Sequence, residues 1–186
     1  MKIAKKLWNG LTTVLVALVV VLALLLVGVR LVGLTPYVVL SGSMEPTYHT
    51  GSLIYVKKAD PFTIEAGTPI TFMMDEDTIA THRVVEVVPD ETDSTVVRFR
   101  TKGDANDAPD GSLVHYKNVI GTPVFSIPYL GYVSDYITNP PGMYIGFAVL
   151  GIIILMLFAP DLLRAADKAD KKAEEQKKGT HEAQSQ

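Results

Sequence analysis

Residues 11–29 read LTTVLVALVVVLALLLVGV, an unbroken apolar stretch without a charged side chain. A helix rises about 1.5 Å per residue and needs about 20 apolar residues to cross the hydrocarbon of a bilayer. Lysines and Trp8 precede the stretch, and Arg30 follows it, where a long basic side chain can reach the far interface. A cleaved signal peptide is the alternative, but its apolar part has only about 7–15 residues. The stretch therefore predicts an uncleaved transmembrane helix over residues 11–32.

A second uncharged stretch covers residues 143–159. The run NPPG at residues 139–142 and Pro160 after the stretch are typical of segment ends. Tyr144 stands where an interfacial aromatic side chain is expected. A buried core helix is the alternative interpretation, because the stretch is slightly short for a span. We expect a second transmembrane helix over residues 143–159.

Basic residues are distributed unevenly about these two stretches. Three lysines precede the first and six basic residues follow the second, whereas residues 31–142 carry seven basic and fourteen acidic side chains. Because basic residues accumulate on the cytoplasmic side of membranes, residues 1–10 and 160–186 are expected to be cytoplasmic and residues 33–142 to lie outside. The tail alternates alanine with charged residues, which is typical of a solvated helix that frays.

Composition narrows the possible functions. The formal charge of -3 is too small to indicate a nucleic-acid partner. The chain has no cysteine, which excludes disulfides, thiol nucleophiles and cysteine metal sites.

The segment between the two stretches is rich in short runs of β-branched residues. Proline, glycine and aspartate separate these runs, and the segment has no helical period longer than about two turns. It is therefore predicted to be a mainly β extracytoplasmic domain anchored by two transmembrane α-helices. The expected strands are Tyr37–Leu40, Leu53–Lys57, Ile70–Met74, Ile79–Val88, Val96–Thr101 and Asn118–Ile127.

The stretch SGSMEP at residues 41–46 directly follows the first expected strand. Gly42 can adopt backbone angles closed to other residues and lets a substrate backbone come close. A serine on such a loop can present its hydroxyl outward, although an ordinary Ser/Gly turn has the same composition. Ser43 is a candidate nucleophile, and a serine nucleophile needs a neighbouring base. The candidate bases in the outside segment are His49, His82, His115, Lys57, Lys58, Lys102 and Lys117.

His82 lies within the longest expected strand, where sheet pairing would hold its side chain in place. A histidine on a solvated sheet face is the alternative. A histidine base also needs an acceptor that fixes its tautomer. The loop 102–110 offers three carboxylates for this role, those of Asp104, Asp107 and Asp110. Such a loop can instead be merely polar, or can bind calcium, although it lacks the glycine and late glutamate of an EF-hand loop.

In chain order, these segments resemble the type I signal peptidases, in particular the Ser-His branch of the endoplasmic reticulum, archaea and some Gram-positive bacteria. Residues 41–46 are similar to the nucleophile box of that family, and THRVV at residues 81–85 to its base box. KGD at residues 102–104 with the later Asp110 is similar to its acidic box, and VFSIPYLG at residues 124–131 resembles the segment that comes next in prokaryotic members. The resemblance spans nearly the whole outside segment and implies signal-peptidase-like coiled β-sheets.

The resemblance also implies roles for individual residues. It implies Ser43 as the nucleophile, His82 as the general base and Asp110 as the acid that orients it, with Asp104 as a supporting acid. It implies an oxyanion hole formed by the Ser41 hydroxyl and the Ser43 backbone N–H. It implies no metal and no other cofactor.

Three positions qualify the resemblance. Ala105 replaces an asparagine of the family loop, and Ser52 stands where many members have aspartate. Asp107 lies between the two family aspartates, so the carboxylate that orients His82 stays open among Asp104, Asp107 and Asp110.

The implied function is a membrane-bound serine endopeptidase that removes signal peptides from exported preproteins, cutting after small residues on the outer face of the cell membrane. The implied partners are secretory preproteins, the lipid bilayer and the protein-export channel, and not nucleic acid. Two other functions share part of the pattern. A self-cleaving repressor-like protease has a related β fold but uses a Ser-Lys pair, and a two-span protein that binds a partner outside the membrane would need no active site.

Overall fold

The computed structural model of the chain describes residues 2–90, 93, 96–158, 165, 168 and 169. The chain divides into two compact units. One unit is Leu22–Gly142, and the other comprises the described parts of Met1–Val21 and Met143–Gln186. Apart from three positions, the predicted tail of residues 160–186 lies outside the described residues, as does residue 159.

The first helix, α1, covers Lys2–Leu26 and so begins and ends earlier than the predicted range of residues 11–32. Its segment Lys6–Leu26 is long and apolar enough to cross a membrane, since 21 residues rise about 31 Å. A short 3-10 helix over Gly28–Val32 follows. Gly33 ends it with a φ of 78°, a left-handed conformation that favours glycine, and the chain enters the first strand at the next residue.

Two further helices are α2, Leu130–Thr138, and α3, Gly142–Phe158. Neither is by itself long and apolar enough to cross a membrane, but the two together are, as a span broken at residues 139–141. The described residues therefore contain one apolar helix that is long enough to cross a membrane. If the broken pair of α2 and α3 is counted as a single span, they contain two such segments.

Helix α2 was not expected from the sequence. Its inner side packs closely, because a Cβ added to the buried Gly131 would meet the Ser52 carbonyl oxygen at 2.5 Å. Its tyrosines are about half exposed, Tyr132 at 56% and Tyr136 at 52%, and the Tyr132 ring lies against Gly51, where an added Cβ would clash with it. An apolar stripe that faces the core is the pattern that predicts a helix, and the more buried positions of α2 weaken that pattern because they include Gly131 and Ser134.

Among the described residues, seven strands form one antiparallel sheet in the order β1-β2-β7-β3-β4-β5-β6. The last strand joins the two halves of the sheet, because its first residues pair with β3 and its later residues pair with β2. The prediction of a mainly β domain is confirmed. The strands are β1 Leu34–Val38, β2 Leu53–Lys57, β3 Pro69–Met73, β4 Ile79–Pro89, β5 Val97–Lys102, β6 Val114–His115 and β7 Val119–Ile127.

Most strand boundaries lie within one or two residues of the prediction. The exceptions are β1, which begins and ends earlier than expected, and β6, whose two residues are too few to give a period.

The core of this unit lies against the strands β3, β4 and β5. Because side chains alternate between the two faces of a strand, His82 and Val84 of β4 point to the same side. Val84 is fully buried, and His82 is 8% exposed. The packing that buries Val84 therefore also holds the His82 side chain. The buried cluster consists of Ile64, Ile70, Phe72, Val84, Phe99 and Val114.

Candidate active site

Ser43 lies in the loop between β1 and β2. The loop turns back on itself, because the Glu45 N–H donates to the Gly42 carbonyl oxygen at 3.0 Å, and the Met44 side chain anchors it at 2% exposure. Gly42 does not have a positive φ, so the expectation that this glycine supplies an unusual backbone conformation is wrong. A Cβ added there would stay 3.5 Å from its nearest neighbour.

The structure brings Ser43, His82 and Asp110 together, although 28 and 39 residues separate them along the chain. The His82 Nε2 atom lies 3.2 Å from the Ser43 Oγ atom, and the His82 Nδ1 atom lies 2.6 Å from the Asp110 Oδ2 atom. A carboxylate only accepts hydrogen bonds, so Nδ1 carries the proton in this contact. In the neutral ring, Nε2 then has a free electron pair facing the serine hydroxyl.

Thr101 also holds the Asp110 carboxylate, through the same oxygen that contacts His82. The Thr101 Oγ1 hydroxyl donates to Asp110 Oδ2 at 2.6 Å, and the Asp110 N–H donates to the Thr101 carbonyl oxygen at 2.8 Å. Sequence reasoning missed Thr101. The signal available was its position in β5, where period-2 alternation puts this polar residue on the same buried face as Phe99.

Asp104 contacts Arg83 rather than His82. Arg83 Nε donates to Asp104 Oδ1 at 2.8 Å and Arg83 Nη2 to Asp104 Oδ2 at 2.6 Å, a two-pronged pairing that suits a planar guanidinium. The Thr47 hydroxyl also donates to Asp104, at 2.6 Å. The Arg83 guanidinium, followed by the Thr47 hydroxyl, holds the pKa of the Asp104 carboxyl below its usual range against the opposing effect of burial. This pairing joins the loop that carries Ser43, the strand β4 and the loop 102–110. Thr47 is a second residue that the sequence did not single out.

The acidic loop also reaches the nucleophile loop through its backbone. The Ala105 N–H donates to the Ser43 carbonyl oxygen at 2.9 Å. Gly103 permits this approach, because an added Cβ would lie 2.5 Å from the same carbonyl oxygen. The contact uses only the backbone of Ala105, so the departure from the family asparagine at this position leaves it intact. Asp107 is exposed and makes no hydrogen bond to His82 in the described part of the chain.

Ser41 lies beside Ser43, with its Oγ atom 3.3 Å from the Ser43 Oγ atom. Both hydroxyls open onto a cleft of about 590 Å³, within the range typical of ligand sites. Residues 37–44 form one wall of this cleft and residues 77–82 the other. The remaining lining residues are Tyr48, Ile54, Met74, Asn106 and Asp135, so no lysine of the described chain lines the cleft.

The two walls expose unpaired strand edges. The backbone of Val39 bonds to β2 through Ser52 and Gly51, so alternation turns the backbone groups of Val38 and Leu40 away from β2. On the other wall, β5 pairs with β4 only from Arg83 onward. The first four residues of β4 therefore lack a partner on that edge among the described strands.

The other candidate bases lie elsewhere. His49 pairs with Glu45, and His115 accepts a hydrogen bond from the Lys117 N–H at the start of a short 3-10 helix. For the calcium alternative, the described residues contain no group of three or more His, Cys, Asp or Glu side chains arranged to hold a metal ion.

Residues 11–129 match the family described as signal peptidase, peptidase S26. The chain belongs to this family. The resemblance inferred from the sequence motifs is thereby confirmed. The matched residues include Ser43, His82 and Asp110, and they end one residue before α2.

Individual members of the family are similar to the chain at the sequence level. Signal peptidase I W of Bacillus subtilis (strain 168) is 40% identical over 119 residues, which cover 60% of this chain and 61% of that protein. The signal peptidase complex catalytic subunit SEC11C of Homo sapiens is 34% identical over 128 residues, covering 64% of this chain and 66% of that protein. The chain thus spans less than two thirds of the length of these relatives. SEC11 of Eremothecium gossypii is 32% identical over 127 residues, covering 63% of this chain and 73% of that protein.

Proposed function

We propose that this chain is a membrane-bound serine endopeptidase that removes signal peptides from exported preproteins, cutting after small residues on the outer face of the cell membrane. The observation that carries the proposal is the hydrogen-bonded line from Ser43 through His82 to Asp110, open to a cleft at its serine end. Membership of the signal peptidase family supports the choice of substrate.

The acylation step follows from the protonation of His82. Its Nε2 accepts the Ser43 proton as the serine oxygen attacks the carbonyl carbon of the residue before the cut. The ring is then a cation, and the Asp110 carboxylate stabilises it through the 2.6 Å contact with Nδ1. His82 next donates a proton to the departing amine, and the peptide bond breaks. A water molecule deprotonated by His82 hydrolyses the acyl-enzyme and regenerates Ser43.

The negative oxygen formed during attack needs donors close to the serine. We assign this role to the Ser43 backbone N–H and the Ser41 hydroxyl, which is 3.3 Å from the attacking oxygen. Loss of one such donor costs about 10²–10³ in rate in comparable sites.

The substrate would bind as an extended strand between the two cleft walls. The backbone groups of Val38 and Leu40 face the cleft from one side, and the unpaired edge of residues 79–82 faces it from the other. Strand addition to free edges provides backbone hydrogen bonds that do not depend on the substrate side chains. This suits an enzyme whose substrates share an extended segment but little sequence.

The proposed topology has two spans, one in residues 11–32 and one in residues 143–159, with residues 1–10 and 160–186 cytoplasmic. The peptidase domain, residues 33–142, would lie outside together with secretory preproteins and next to the export channel. The length of the apolar segment Lys6–Leu26 and the basic residues at both ends of the chain support this arrangement. Ser43 follows residue 32, the predicted end of the first span, by 11 residues, and we place it near the outer membrane surface.

The full chain, purified in detergent, tests this function with a presecretory protein as substrate. We expect cleavage after a small residue, with the cut site read by mass spectrometry. Ser43→Ala and His82→Ala should each lower kcat/KM by about 10³-fold or more. Ser126→Ala and His115→Ala are matched controls outside the cleft, and they should process the substrate normally. Cleavage retained by Ser43→Ala would refute the assignment of the nucleophile.

A further inference from the structure

We infer that Thr101 is a positioning residue of the active site: its hydroxyl holds the Asp110 carboxylate in the orientation that serves His82. The inference rests on the catalytic role proposed above for Asp110. It adds a residue that touches neither the substrate nor His82 and acts only through the carboxylate.

The location of Thr101 makes it a neighbour of the base without contact to the cleft. Thr101 pairs with Val84 across β4 and β5, and its side chain is fully buried. Val84 lies two residues after His82 on the same face of β4, so Thr101 and His82 are diagonal neighbours on one side of the sheet. Thr101 is not among the residues that line the cleft.

Two hydrogen bonds join Thr101 to Asp110 and close the loop of residues 102–109. The backbone bond places the Asp110 main chain, and the hydroxyl bond places its carboxylate. Asp110 Oδ2 accepts from Thr101 Oγ1 and from His82 Nδ1, each at 2.6 Å, and these two donors match its two electron pairs. The carboxylate thus has one orientation in which both of its buried partners are satisfied.

Without the Thr101 hydroxyl, the Asp110 carboxylate would lose one of the two hydrogen bonds that hold its orientation. Rotation of a carboxylate about its last side-chain bond is intrinsically broad. The Asp110 side chain is 19% exposed, so water is available as a competing partner. A carboxylate that turns toward water no longer fixes the His82 tautomer or stabilises the imidazolium. The effect should fall on the chemical step and not on substrate binding.

The test compares four variants of the full chain, with Asp110→Asn as a reference, in detergent, and kcat and KM are measured separately on a presecretory substrate. Thr101→Val keeps the side-chain shape and removes the hydroxyl, and we expect kcat to fall about tenfold with KM unchanged, because small misplacements of catalytic groups are costly. Thr101→Ser restores the hydroxyl and should recover most of the loss. Thr71→Val is the matched control, since Thr71 is equally buried and its hydroxyl bonds to Thr81 at 2.8 Å. It should lose comparable thermal stability but keep kcat.

The fourth variant combines Thr101→Val with Asp110→Asn. If Thr101 acts through Asp110, the double variant should be no slower than Asp110→Asn alone. A kcat of the double variant below that of Asp110→Asn alone would overturn the inference. An unchanged kcat in Thr101→Val, or a loss of kcat in Thr71→Val equal to that in Thr101→Val, would overturn it as well.

A spectroscopic readout separates this inference from the proposed function. The His82 Nδ1 proton should resonate far downfield in wild type and Thr101→Ser, and shift upfield in Thr101→Val. This measurement needs no substrate, so it decides the role of Thr101 even if no preprotein is cut. An identical resonance in wild type and Thr101→Val would refute the positioning role.

Discussion

At the scale of single residues, the site depends on which carboxylate of the acidic loop reaches His82. The three candidates stand at spacings of three residues, and the structure gives each a different environment. Asp110 bonds to the imidazole, Asp104 is paired with Arg83, and Asp107 is exposed. A carboxylate already neutralised by a guanidinium is a poor partner for an imidazolium, so the division of roles follows from the contacts.

Replacement of Asp110 by asparagine tests this division. The amide carries no charge and cannot stabilise the imidazolium, so we expect Asp110→Asn to lower kcat by about 10⁴-fold, the size of loss seen for an orienting aspartate elsewhere. Asp107→Asn changes the same group in the same loop and should stay within about twofold of wild type. Steady-state kinetics on a presecretory substrate measures both. Equal losses for the two variants would contradict the assignment.

The pairing of Asp104 with Arg83 leads to a pH-dependent stability. The folded-state pKa of Asp104 lies below its unfolded value of about 3.9. A depressed pKa contributes stability that is present above about pH 4 and is lost as the pH falls through the folded-state value. Asp104→Asn should therefore be less stable than wild type at pH 7 by about 1–3 kcal/mol.

Chemical denaturation in detergent at pH 7, 5 and 3 measures this difference. The gap between wild type and Asp104→Asn should persist at pH 5 and narrow at pH 3. Asp107→Asn, which lacks the arginine partner, provides the baseline. A gap that is independent of pH would show that the loss does not come from the charge of Asp104.

The sequence singles out Ser43 and His82 as candidates because each lies in a short run with a recognisable local pattern. It left the orienting carboxylate open, because the choice depends on how residue 110 folds back onto Thr101, and loop spacing does not encode that contact. The roles of Thr101 and Thr47 depend on hydrogen bonds across 9 and 57 residues of chain. A buried threonine in a strand does not indicate a role in the site unless its hydrogen-bond partner is known.

At the scale of elements, the loop between β5 and β6 organises the site. Its beginning contacts the nucleophile through the Ala105 N–H, its Asp104 binds the base strand, and its end carries Asp110. One loop therefore sets the distance between Ser43 and His82. Most strands of the sheet were predictable from β-branched runs, whereas α2 was not, because its more buried positions include Gly131 and Ser134 and do not form an apolar stripe.

Gly103 is the point where this loop meets the nucleophile loop most closely. In Gly103→Ala the new Cβ would lie 2.5 Å from the Ser43 carbonyl oxygen and 2.8 Å from Asn106 Nδ2, so the backbone beside the nucleophile must move. We expect a loss of about 1–3 kcal/mol in unfolding free energy and at least a tenfold loss of kcat/KM. Gly111→Ala is the control, because an added Cβ there has no neighbour within 4 Å. Normal activity of Gly103→Ala would mean that the two loops need not touch.

At the scale of the whole molecule, the question is how many times the chain crosses the membrane. In the chain, the apolar helix α1 precedes β1, with a short 3-10 helix between them, and a helix without a charged residue, α3, follows the domain. The α1 segment is long enough to span alone, whereas α3 needs residues outside its described 17 to reach the usual length. The first span is therefore the stronger prediction, and the second determines whether the tail returns to the cytoplasm.

Cysteine labelling can decide the topology, because the natural chain has no cysteine. Ser112→Cys introduces a thiol at an exposed position of the β domain, and Ser185→Cys introduces one near the end of the tail. With a membrane-impermeant maleimide on intact cells, we expect Ser112→Cys to react and Ser185→Cys to react only after permeabilisation. If the N-terminus is cytoplasmic as proposed above, this result requires an even number of crossings between it and Ser185. If both thiols react on intact cells, α3 does not cross the bilayer and the chain has a single anchor.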